Sequence, residues 1–345
     1  MIRSTAMLVA LLVAEAPPAF AQRYWAHQNG DVVQLQDATT DTVVSIIPSV
    51  GNIAFEMKVK GQSILYWPYA SIEEFKARPA MSGIPFLGPW ADRLDEPAFF
   101  ANGRKYAFDM QLGNVRGAMP IHGFVTMTDQ WKVVEAQADT EAAWVTSRLE
   151  FYRQPMWMKQ WPFAHTIDMT HRLHDGVLEV QTTIVNMSAE PMPIAIGFHP
   201  YYQLTDSPRD EWTLSVGART HWLLTSNVVP TGETEPIERF FPTPQAVSLG
   251  DYGLDDVFSD LVRDERGRAT ISVAGKSQRL DLVLGPNYRA VTLWSPKDRR
   301  FICVEPTAGI IDALNLAARG LYKDLQSVAP GGTWRESFWI KASGF

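Results

Sequence analysis

Cysteine is almost absent from this chain. Cys303 is the one cysteine in 345 residues, so no intrachain disulfide can form and the fold rests on its core. It sits in Phe301-Ile302-Cys303-Val304, an apolar run where cysteine serves as a small buried hydrophobe. No neighbouring group marks it as an activated thiol. Basic runs are missing too. The formal net charge is −7 and the charges are dispersed, which argues against a nucleic-acid partner. No apolar stretch approaches the roughly 20 residues that a membrane span needs. No His-Glu-x-x-His, CxxC pair, phosphate loop or dinucleotide fingerprint occurs, so the commonest sequence signs of metal, nucleotide and redox chemistry are lacking. Helix signals are few.

What is present suits a large globular β protein. Apolar residues make up 46%, enough for a substantial core. The N-terminus reads as an export signal. Met1-Ile2-Arg3 gives a positive start, Ala6 to Ala14 an apolar core, and Ala19-Phe20-Ala21 a cleavage site. Glu15, Pro17 and Pro18 interrupt the alternative, a membrane anchor. The expectation is a signal over 1–21, export to the periplasm, and one mature domain over 22–345, with no linker or repeat to divide it.

Period-two alternation dominates. His165, Ile167, Met169, His171 and Leu173 share one strand face, and Asp175-Gly176 marks a tight turn. Leu178, Val180, Thr182 and Ile184 alternate on the return. Ile271 to Leu284 repeats this grammar through Ala274-Gly275-Lys276-Ser277. Further strands are expected at 42–47, 53–59, 143–151 and 334–340. Ser71 with Glu74 reads as a capping box for a short helix through Lys76, and 312–319 as another helical turn. The fold class expected is all-β, a large antiparallel sandwich with few short helices.

Three segments carry acid–base side chains inside apolar, strand-like sequence: Ile121-His122-Gly123-Phe124, Gly197-Phe198-His199-Pro200-Tyr201 and Cys303-Val304-Glu305-Pro306. Two imidazoles and a carboxylate can move protons near neutral pH. Glu305 shares a face with Phe301 and Cys303, and Pro306 is expected to end its strand at a cleft rim. Each group also has a plain structural alternative: a capping or salt-bridged Glu305, or packed histidines at 122 and 199. Arg93, in a Gly/Pro-rich loop beside Trp90, could fork onto two hydroxyls or pair with Asp92 or Asp95. Asp255 and Asp256 could accept hydroxyl hydrogen bonds or form a solvated turn. His165, His171 and His174 are close in sequence, but the third falls opposite the first two, so they read as structural rather than as metal ligands.

Taken together these segments resemble the aldose 1-epimerase (galactose mutarotase-like) family over nearly all of the mature chain. Gly83-Ile84-Pro85-Phe86-Leu87-Gly88-Pro89-Trp90-Ala91-Asp92-Arg93-Leu94 is similar to the family's Gly-x-Pro…Asn-Arg stretch. Asn102-Gly103-Arg104-Lys105-Tyr106 resembles the hairpin that follows. Ile121-His122-Gly123-Phe124 resembles the His-Gly motif, and Gly197-Phe198-His199-Pro200-Tyr201-Tyr202-Gln203-Leu204 is the most specific match. Val229-Pro230-Thr231-Gly232-Glu233, Leu254-Asp255-Asp256-Val257-Phe258 and Cys303-Val304-Glu305-Pro306 resemble the remaining motifs. Asp92 departs from the pattern, where an asparagine is usual, and Pro200 follows the broader epimerase-like branch.

The resemblance implies a β-supersandwich and a monosaccharide cleft, with no cofactor and no metal. It implies Glu305 as catalytic base and His199 as general acid. Arg93, His122 and Asp255 would orient the sugar, and Trp90 or Tyr201 would cover its apolar face. Proximity of Glu305 and His199 would favour an ionised carboxylate beside a protonated imidazole. The reaction implied is α/β anomer interconversion of a free aldose by a monomer or homodimer. A non-catalytic carbohydrate binder on the same fold is the main rival. A glycoside hydrolase or polysaccharide lyase using Asp255 with Glu305 ranks third.

Overall fold

The computed structural model describes residues 22–111 and 115–345; the expected export signal at 1–21 lies outside the described residues. Strands dominate, and the α-helices among the described residues are four short ones: Ile72–Ala77, Pro155–Gln160, Ile237–Phe240 and Ala313–Ala318. The first and last of these were expected from sequence. Ser71 accepts from the Glu74 N–H at 3.2 Å, and the Glu74 carboxylate accepts from the Ala70 N–H at 2.8 Å, one residue upstream of a strict capping box.

The larger sheet has nine strands. It starts with Lys132–Ala138, Ala143–Glu150, His165–His174 and Val177–Asn186. Thr333–Ser343, Arg279–Leu284, Ala269–Ala274, Thr213–Val216 and Val247–Ser248 complete it. The hairpin written into 165–186 forms in full register, from His165 opposite Asn186 to His174 opposite Val177. Both turn residues take left-handed backbone, Asp175 at φ 49° and Gly176 at φ 72°, as a two-residue turn between right-twisted strands requires. The odd face, His165 to Leu173, is buried, because a period of two sends alternate side chains to one side.

The second sheet carries the chemistry. Its neighbours run Pro230–Pro236, Ala218–Leu224, Leu254–Leu261, Ala290–Ser295, Ile302–Thr307, Gly197–Phe198 and Phe86–Leu87, with Tyr201–Tyr202 also on Ile302–Thr307. The two sheets share one core; Phe198 of this sheet packs edge-on against Phe338 of the other, ring centres 4.9 Å apart. A five-stranded antiparallel sheet over residues 24–63 completes the N-terminal part.

One expectation fails here. Pro306 does not end its strand, which runs through Thr307. The reason lies in the neighbouring chain. Gly197 pairs with Thr307 and Tyr201 with Cys303, so one register continues across a break at His199-Pro200. That break lies opposite Glu305 and Val304. A proline has no N–H to give a ladder, yet Pro306 keeps its place in the sheet, paired with Val291 of Ala290–Ser295. The gap in the sheet is where the site forms.

Candidate active site

Counting inward from both ends of this register places His199 opposite Glu305. Directly opposed residues lie close enough for their side chains to meet, and His199 Nε2 stands 3.2 Å from Glu305 Oε1. The His199 backbone is extended before Pro200 and its N–H donates to Pro85 O at 3.0 Å. Both groups are buried, 6% exposed for His199 and 1% for Glu305. Glu305 is therefore at the floor of a cavity and not at a rim.

The adjoining strands add the next groups. Thr292 pairs with Glu305, Trp294 with Cys303, and Asp255 with Trp294. Asp255 receives a forked ion pair from Arg93, Nη2 to Oδ2 at 2.9 Å and Nη1 to Oδ1 at 3.4 Å. Thr292 Oγ1 donates to Asp92 Oδ2 at 3.1 Å.

Arg93 and His122 come from two loops that hold each other. The His122 N–H donates to Asp92 O at 2.9 Å, and the Asp92 N–H donates to His122 Nδ1 at 3.2 Å. A ring nitrogen that accepts carries no proton, so neutral His122 has its proton on Nε2. Both residues take left-handed backbone, φ 55° for Asp92 and 58° for His122. Gly123 is obligatory at the next position: at φ 58°, a Cβ there would meet Gly88 O at 2.0 Å. The His122 and His199 rings stand perpendicular, centres 5.4 Å apart.

These groups line a cavity of about 150 Å³, walled by Asp92, Arg93, His122, His199, Asp255 and Glu305 with Met81, Ile121, Tyr201 and Trp294. That is small beside the ~300–1,000 Å³ of drug-sized pockets, which suits one compact polar ligand. A larger cleft of about 540 Å³, between residues 203–212 and 297–300, contains no histidine.

The aromatic expectations divide. Tyr201 lines the cavity, with its ring stacked on the His199 imidazole at 4.8 Å. Trp90 does not. Its indole is buried against Phe108 at 4.5 Å and edge-on to Phe124. The turn at Asp92 sends Arg93 into the cavity while Trp90 faces the core. The tryptophan that does line the cavity is Trp294. Alternation in Ala290–Ser295 puts it on the Thr292 face, but sequence does not reveal that this strand adjoins Glu305.

Burial dominates the electrostatics. It pushes His199 down to about 3. It pushes the Glu305 carboxyl well above the usual carboxylate range, helped by the negative charges of Asp92 and Asp255 and opposed by Arg93. Burial lifts Asp92 to about 6, with Arg93 opposing. Desolvation by the surrounding protein thus favours carboxylic acid beside neutral imidazole. The expectation that proximity would favour the ion pair left out this desolvation. The two forms contain the same protons, however, and differ by one transfer across 3.2 Å.

Comparison with known proteins identifies the family and the fold. The sequence model described as aldose 1-epimerase matches residues 31–341. A galactose mutarotase-like protein from Clostridium acetobutylicum superposes with TM-score 0.83 at 22% identity, covering 94% of this chain and 99% of that one. Galactose 1-epimerase from Lactobacillus acidophilus gives 0.72 at 15% identity, covering 93% and 98%. An aldose epimerase homologue from C. elegans gives 0.70 at 16%, covering 88% and 96%.

Proposed function

The chain belongs to the aldose 1-epimerase family, and from that premise we propose that it interconverts the α and β anomers of a free aldose. The observation that carries the reading is the His199–Glu305 contact of 3.2 Å inside a cavity that also holds Arg93, His122 and Asp255. The anomeric and ring oxygens of a sugar are bonded to one carbon. An acid and a base this close together can therefore serve both at once.

Glu305, as carboxylate, takes the proton of the anomeric hydroxyl. The bond from the anomeric carbon to the ring oxygen breaks, and that oxygen takes a proton from His199 Nε2. An open-chain aldehyde faces neutral imidazole and carboxylic acid, the form that burial favours. Rotation about C1–C2 turns the other carbonyl face to the hydroxyl. Ring closure then passes the proton of the attacking hydroxyl back to His199 and the Glu305 proton to the new anomeric hydroxyl, so nothing is consumed. Arg93 and Asp255 offer donors and acceptors for hydroxyls, and His122 offers Nε2–H to a sugar oxygen. Trp294 is placed to pack against the apolar face of the ring.

Polarimetry on freshly dissolved glucose, galactose, arabinose and xylose tests this. Catalytic protein should speed the approach to the equilibrium rotation for at least one of them. Binding without acceleration would mark a carbohydrate-binding module, and release of reducing ends from an oligosaccharide would mark a hydrolase. We further propose export with cleavage after Ala21; N-terminal sequencing of the mature protein should begin at Gln22.

A further inference from the structure

Behind the cavity wall lies a further donor that the proposed acid–base cycle does not use. Cys303 lies two residues before Glu305 on the same strand face, fully buried against Tyr201 and Phe301. An imidazole nitrogen of His199, the Cys303 sulfur and a Glu305 carboxylate oxygen all lie within 4.8 Å of one another. Among the described residues this is the one such group that could hold a metal ion. Two of its atoms are also unsatisfied: Glu305 Oε2 and His199 Nδ1 are buried without a hydrogen-bond partner, which native interiors seldom tolerate.

We propose that His199, Cys303 and Glu305 form an inhibitory site for a soft divalent cation, zinc above all. Nitrogen, sulfur and carboxylate oxygen are the ligands zinc takes, three from protein with a fourth position open. Ligand bonds of roughly 2.0–2.3 Å require the donors to draw in by about 1 Å, a movement of side-chain ends. The fourth position faces the cavity, where water or a sugar hydroxyl completes the shell. The ion enters by the path the sugar uses, and the thiol proton and the Glu305 carboxyl proton leave to solvent as it binds. Inhibition rests on the proposed acid–base reading, because the ion occupies the carboxylate oxygen and the imidazole lone pair that move the protons. Binding itself does not depend on that reading.

Cobalt(II) and zinc chlorides, added to tag-free protein, separate the two. Cobalt should produce a near-ultraviolet thiolate charge-transfer band that zinc abolishes. Cys303→Ala should lose the band and weaken zinc binding by more than about tenfold, with mutarotation unchanged and no longer slowed by zinc. Cys303→Ser replaces that variant if alanine does not fold. Absence of the band in the unmodified protein overturns the proposal, as does equal zinc affinity in both proteins. Undiminished mutarotation at saturating zinc overturns the inhibitory role. A band in a protein that accelerates no aldose leaves the metal site standing and removes the mutarotase reading.

Discussion

Replacing Glu305 by Gln removes the proposed base and little else. The amide matches the carboxyl in shape. Burial already favours the neutral acid at this position, so a neutral side chain adds no desolvation cost, and the fold should be retained. One general base contributes about 10²–10⁴ in rate, which corresponds to about 3–5 kcal/mol in the barrier. His199→Asn should cost a similar factor. The two act as a unit across 3.2 Å, so the double variant should be no slower than the slower single variant; independent losses would multiply instead. The assay is initial polarimetric rate on the preferred aldose, with circular dichroism and sugar binding measured alongside. Sugar affinity should stay within severalfold. A Glu305→Gln protein that keeps more than about a tenth of the rate would refute the assignment of the base.

Other consequences are open to direct measurement. Arg93→Lys loses the fork onto Asp255 and should raise KM about tenfold or more, with a smaller effect on kcat; an unchanged KM contradicts an orienting role. His165 and His171 are buried and held down to about 4 by that burial. Stability is complete above the unfolded value near 6.5 and falls as pH drops toward 4, by about 3 kcal/mol for each histidine. Urea unfolding of His171→Met should show a shallower acid limb, and an identical limb would contradict this. Burial also pushes His221 down, but hydrogen bonds to Asp256 at 3.2 Å and Glu235 at 3.0 Å outweigh it and leave the imidazole raised. Its contribution is therefore complete below about pH 6.5 and lost as pH rises through the raised value; an NMR titration midpoint below 6.5 would show the sign to be wrong. Gly123→Ala drives a Cβ into Gly88 O at positive φ and should destabilise by more than about 1 kcal/mol, seen as a lower Tm.

Much of this was legible in the amino-acid order, for identifiable reasons. The 165–186 hairpin was readable because alternation marks the buried face and Asp175-Gly176 fixes the register. Sheet order was not, because alternation does not say which strands are neighbours. Thr333–Ser343 lies between Val177–Asn186 and Arg279–Leu284, partners far away in the chain. The same limit governs the site. His199, Glu305, His122, Arg93 and Asp255 stood out as polar groups in apolar or punctuated sequence, and all line one cavity. Trp294 was missed because its place depends on the pairing of Ala290–Ser295 with Ile302–Thr307. Trp90 was misplaced because a left-handed residue two positions later turns the loop. Asp92 was noticed only as a possible partner of Arg93 and as a departure from the family pattern. That its carboxylate lies buried in the site, held by Thr292 and adding negative charge near Glu305, needed three dimensions.

The most direct test is magnetisation exchange between the two anomeric protons of an equilibrated aldose, recorded by NMR with catalytic amounts of the protein. No net reaction occurs at equilibrium, so exchange reports ring opening and closure alone. Wild-type protein should give cross-peaks between the α and β signals that Glu305→Gln does not. An exchange rate equal to that of buffer for every aldose that binds, or equal rates for the two proteins, would contradict proton transfer by the Glu305–His199 pair.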